Sequence, residues 1–116
     1  MQGLKTFDDL FIQAETHQLY TKLIAQLNKD LNRANIDLEF DLEVPPTSVK
    51  LILNDTVFGL IQERYMDYLN LLYVVDVPEE QIRQIEVLDA RALSEQVTFL
   101  ILLREWQKVW YKAQHS

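Results

Sequence analysis

Few residues in this sequence could do chemistry, and their spacing narrows what kind. The histidines are His17 and His115 alone. His17 stands on an otherwise apolar helical line, where it could serve as a buried base or ligand, although a hydrogen-bonded boundary residue is the commoner role there. His115 is one residue from the end of the sequence. Glu63 and Asp67 are four residues apart, with Asn70 three further on. That spacing puts two carboxylates on one helical face, an arrangement able to hold a divalent cation or divide acid and base work. A solvated face beside an apolar stripe is the plainer reading. A carboxylate-bridged di-iron site would need Glu-x-x-His motifs, and Glu15 is only two residues before His17. Asp37, Glu39, Asp41 and Glu43 alternate along one edge of a segment without the glycine spacing of a calcium loop. They read as a charged edge that blocks strand pairing.

Composition removes further classes. With no cysteine there is no thiol nucleophile, disulfide or cysteine-bearing metal site. The two glycines, Gly3 and Gly59, are too few for a phosphate-cradling loop, a dinucleotide fingerprint or a nucleophile elbow. No catalytic residue, metal or cofactor is therefore assigned. A net charge of −7 repels nucleic acid and anionic membranes. It leaves a thin reading as an acidic nucleic-acid mimic. No run approaches the roughly 20 apolar residues of a membrane span. The first residues lack a long apolar leader, with Asp8 and Asp9 following soon after. A soluble, cytoplasmic protein is expected.

The most suggestive constellation is near the C-terminus. Phe99, Leu103, Trp106, Trp110 and Ala113 repeat at four, three, four and three residues, a bulky helical seam. Arg104, Lys108, Lys112 and His115 fall in line on another side. Basic residues near a helix C-terminus favour the macrodipole, and paired indoles are usually core or subunit interface. Arg104, Trp106, Lys108, Trp110 and Lys112 are accordingly the candidate interaction residues, and membrane-surface or nucleic-acid roles are minor alternatives.

These residues need elements to position them. Thr6 with Asp9 resembles a capping box. From Leu10 through Ala14, His17, Tyr20, Ile24, Leu27, Leu31 and Ala34 the apolar positions keep helical spacing, as one helix or two sharing a face. Ile36 to Val44 alternates strictly between apolar and acidic, the pattern of a half-buried strand, until Pro45 and Pro46 stop it. The favoured reading is an extended connector over about 36–46. The alternative is a β-hairpin within 36–53, lacking the Gly or Asn that tight hairpins use. Thr47, Ser48 or a residue of 54–56 could cap a second helix that runs to Val75. Its end, Tyr65–Val75, is apolar nearly all round and reads as the central element, covered from several sides. Asp76, Pro78 and Glu79 read as the start of a short helix capped by Asp76. Asp89 or Ser94 then starts the last helix, to about Ala113.

The expected fold is all-α: one domain over 1–116, a small bundle of about four helices, with α+β as the alternative if the hairpin forms. The expected function is a non-enzymatic protein-interaction or self-associating module, because two helices apolar all round in so short a chain need cover from elsewhere. The competing reading is a small ligand- or metal-binding helical enzyme using Glu63 and Asp67. The partner of the interaction module would be another protein or a second copy of the chain, with nucleic acid unlikely.

Overall fold

The structure, a computed structural model, describes residues 3–115. Six helices and no strand occur among the described residues: α1 Phe7–Thr16, α2 Tyr20–Arg33, α3 Pro46–Glu63, α4 Tyr65–Val75, α5 Glu79–Arg83 and α6 Ala90–His115. The all-α reading holds. The count rises from four to six because both long apolar stripes are broken, at Gln18 and at Arg64.

The capping box at Thr6 forms as expected. Thr6 Oγ1 accepts from the Asp9 amide at 3.0 Å, and the Asp9 carboxylate accepts from the Thr6 amide at 3.2 Å. The first break comes at Gln18, which takes φ 58°. Its amide reaches Glu15 O at 3.0 Å, and the Leu19 amide reaches Ala14 O at 2.8 Å. This is a Schellman ending, which helices use to satisfy their last carbonyls. The same pair of bonds ends α2 at Asn35 (φ 60°) and α4 at Asp76 (φ 70°). In each case the residue after the left-handed one is apolar and buried: Leu19, Ile36 and Val77. A chain with two glycines thus ends three helices on Gln, Asn and Asp. The burial of the next side chain offsets the strain of a non-glycine residue at positive φ.

Asp76 therefore terminates α4 rather than starting α5, correcting the sequence expectation; Pro78 precedes α5 in extended backbone. Pro45 and Pro46 likewise open α3 in place of Thr47 or Ser48. Asp89 does start α6, its carboxylate accepting from the Ala92 amide at 2.8 Å.

Residues 36–45 form the extended connector, and no hairpin is present because the would-be second strand is α3. The period-two pattern is realised without a ladder. Ile36 and Phe40 are buried, Leu38 and Val44 half-buried, and Asp37, Glu39, Asp41 and Glu43 exposed; Leu42 alone breaks the alternation by facing solvent. Side chains from α2 replace the missing strand. Asn28 donates to Phe40 O and accepts from Phe40 N, both at 2.8 Å, and the Tyr20 hydroxyl donates to Val44 O. Extended backbone over a helix is stable here because its polar groups find those partners.

The centre of the molecule is α6, which packs against α3 most extensively and also against α2, α1 and α4. This corrects the placement of Tyr65–Val75 at the centre. One side of α4 is buried through Tyr68, Leu71, Leu72 and Val75, while Tyr65, Met66, Leu69 and Tyr73 are exposed. No helix among the described residues is long and apolar enough to cross a membrane.

Candidate functional site

The buried stripe of α6 is rotated from the seam read in the sequence. It comprises Ser94, Val97, Thr98, Ile101, Leu102, Glu105, Trp106 and Val109. Polar residues run along it: Ser94, Thr98, Glu105, Lys108 and Lys112 share one line with Ile101, at spacings of three and four. At the buried end Ser94 Oγ donates to Asn54 Oδ1 at 2.6 Å, linking α6 to α3, and Thr98 Oγ1 donates to Ser94 O at 2.6 Å.

Further along, α6 meets α2 in an ionic cluster. Asp30 and Glu105 are both fully buried. Lys108 Nζ lies 2.7 Å from Asp30 Oδ2 and 3.4 Å from Glu105 Oε1, and Gln26 Nε2 donates to Asp30 at 3.3 Å. Arg33 reaches Asp30 from the solvent side at 3.9 Å. Burial pushes the Glu105 carboxyl up to about 9, helped by the hydrogen bond and negative charge of Asp30, and Lys108 only partly offsets this. For Asp30 burial also pushes upward, but the hydrogen bonds from Glu105 and Lys108 and the Lys108 charge outweigh it, leaving its carboxyl below the ordinary value. The pair therefore divides one proton unevenly: Glu105 neutral, Asp30 ionised against Lys108. A proton on Glu105 also lets one of its oxygens donate to the otherwise unbonded Asp30 Oδ1.

The packing separates the candidate residues only in part: Arg104, Lys108, Trp110 and Lys112 line one concavity of about 690 Å³ along the end of α6, while Trp106 lies beneath it. Trp106 is in the core, only 2% exposed. Trp110 is half-buried, and the His17 ring meets it edge-on at 4.6 Å between centroids. His17 is thus an aromatic contact closing α1 onto α6. Arg104 is held by Asp76, bonding its carbonyl at 3.0 Å and its carboxylate at 3.2 Å. Lys108 belongs to the buried cluster, which leaves Lys112 as the one cation of the five-residue set facing solvent without an acid among the described residues. His115 stacks on Tyr111 at 4.1 Å. Glu63 ends α3 and Asp67 lies in the first turn of α4, paired to Arg64 at 2.6 Å, so the break at Arg64 puts the two carboxylates on different helices instead of one helical face.

Sequence reasoning missed Asp30 and Glu105. Both carried a signal: Asp30 continues the line Leu23, Leu27, Ala34, and Glu105 stands between Ile101 and Val109 at four-residue spacing. A lone acid inside an apolar stripe marks a buried carboxyl with a partner across the helix interface.

Two further concavities lie elsewhere. The larger, of about 910 Å³, is floored by Phe7, Phe99 and Leu100 and rimmed by Lys5, Lys50 and Gln84 among others. Phe7 and Phe99 meet edge-to-face at 5.5 Å, and Lys50 Nζ sits 4.6 Å from the Phe7 ring centre. The smaller, of about 310 Å³, is a groove between α2 and the end of α6, lined by Lys22, Ala25, Gln26, Lys29, Val109, Lys112 and Ala113. Comparison of the chain with protein-family models, curated proteins and solved structures finds no match.

Proposed function

We propose that this chain is a non-enzymatic interaction module that associates with a second copy of itself through the outer face of α4. One observation carries the reading. Tyr65, Met66, Leu69 and Tyr73 are 56%, 75%, 41% and 84% exposed, and they share one side of α4. An apolar stripe of this kind is left uncovered on a helix whose other side is packed. Large side chains at these exposures present roughly 500 Å², about two-thirds of what each partner contributes to a standard interface.

A second copy is favoured by charge. Two chains of net charge −7 repel except where they meet on a neutral surface. The stripe carries no charge, and the adjacent Asp67 is neutralised by Arg64. A two-fold arrangement of α4 on α4 uses the same stripe twice and buries no unpaired ion. A cytoplasmic setting is part of the proposal.

Sedimentation equilibrium tests it. The expected result is a reversible dimer, strengthened by salt and abolished by Met66→Glu with Tyr73→Glu while helical content is unchanged, because both side chains are exposed. A strict monomer at high protein concentration, or a dimer that survives the double substitution, overturns the reading.

A further inference from the structure

The cations of this protein are not evenly used. Arg33, Arg64, Arg83, Arg91, Arg104 and Lys108 each face a carboxylate, and Lys50 lies over an aromatic ring. Among the described residues this leaves Lys5, Lys22, Lys29 and Lys112 with neither kind of partner. Three of those four line the groove between α2 and α6. In an acidic chain, three unpaired lysines around one groove make a local positive field.

The groove has a defined shape and chemistry. Its floor is Ala25, Val109 and Ala113, small or apolar side chains that allow another backbone to come close. Lys22 and Lys29 stand on the α2 wall seven residues apart, two helical turns or about 10 Å along the axis. Lys112 stands on the α6 wall opposite. Gln26 lies between the two lysines and is held by Asp30, so that wall is anchored to the buried cluster.

We infer that this groove receives an amphipathic helix of a partner protein that carries an apolar seam flanked by acidic residues. A trough between two helices with an apolar floor is the shape a third helix fills, in the helix-in-groove mode of recognition. Lysines on both walls choose acidic flanks and set the register, since carboxylates at seven-residue spacing meet Lys22 and Lys29 together. Three lysines offer few phosphate contacts, and the net charge of −7 on the whole chain repels a polyanion, which disfavours nucleic acid. This surface lies on α2 and α6 and is independent of the α4 face.

The test uses the full chain, labelled with ¹⁵N and titrated with a synthetic amphipathic peptide whose alanine–leucine seam is flanked by glutamates seven residues apart. The expected result is salt-sensitive binding that shifts amide signals of residues 22–29 and 109–113. Binding is expected to weaken roughly tenfold or more when Lys22, Lys29 and Lys112 are all changed to Glu, and by less when all three are changed to Gln. All three lysines are at the surface, so both variants keep the fold, and their circular dichroism checks this. Absence of binding overturns the inference. So does equal binding by the triple variants, equal binding of a peptide with lysines in place of the glutamates, or signals that move elsewhere. Preferential capture of phosphatidylglycerol vesicles or a DNA duplex at the same lysines would also overturn it, assigning the groove to a different anion.

Discussion

Replacing Glu105 by Gln tests the proton-sharing cluster directly. The Glu105 carboxyl moves from 4.5 in the unfolded chain to about 9 in the folded one. A folded value raised above the unfolded one means that the native state holds the extra proton between them. Its contribution is fully present below about 4.5 and is lost as pH rises through about 9. Each pH unit in that window costs about 1.4 kcal/mol, so stability falls by up to about 4 kcal/mol from about pH 5 to about pH 8. Asp30 acts in the opposite sense: its depressed folded value gives stability that is present above 3.8 and lost as pH falls through the folded value. The wild-type profile is therefore expected to peak in weak acid and decline on both sides. In Glu105→Gln the amide keeps a donor for Asp30 without a titrating proton. The alkaline decline should flatten, and the variant should be more stable near pH 7 by up to about 3 kcal/mol. Urea unfolding followed by tryptophan fluorescence (Trp106 and Trp110 together) at several pH values reads this directly. If wild-type stability is flat or rising between about pH 5 and about pH 8, or if Glu105→Gln keeps the full slope, the assignment of the proton to Glu105 is wrong.

Two other substitutions probe how the helices and connector are held. Asn28→Ala removes both hydrogen bonds to Phe40 and leaves that residue's backbone unpaired, at a cost of about 2 kcal/mol; proteolysis within 36–45 should accelerate, and unchanged cleavage would show the connector is held by its apolar side chains alone. Gln18→Gly removes the strain of a non-glycine residue at φ 58° and should raise stability by about 0.5 kcal/mol in a thermal or urea melt, with a loss counting against the left-handed geometry.

Much of the architecture was legible in residue spacing. The all-α class, the Thr6 capping box and the start of α6 at Asp89 depend on interactions within a few residues, and the extended run after Asn35 showed in its alternation, although Asn28 and Tyr20 of α2 hold it. The breaks were less legible. Gln18 and Arg64 interrupt stripes that remain apolar on both sides, and neither is a glycine or proline. The Gln18 turn holds because Leu19 is buried beyond it, which is a tertiary condition. The C-terminal candidates were half legible. Lys112 stands free, whereas Arg104 and Lys108 are consumed by Asp76 and by Asp30, residues 28 and 78 positions away.

The sequence by itself determined that the chain is helical, lacks thiol and glycine-loop chemistry, and carries more apolar helix surface than a small bundle needs. Periodicity reports which side of a helix is apolar, because side-chain direction repeats with the turn of the backbone. It does not report which neighbour covers that side. Only the tertiary structure decided that α6 is central, that α4 keeps one apolar face in solvent, and that Glu105 is buried against Asp30. Burial and charge pairing are properties of distance in space, and the partners that set them come from helices far apart in the chain.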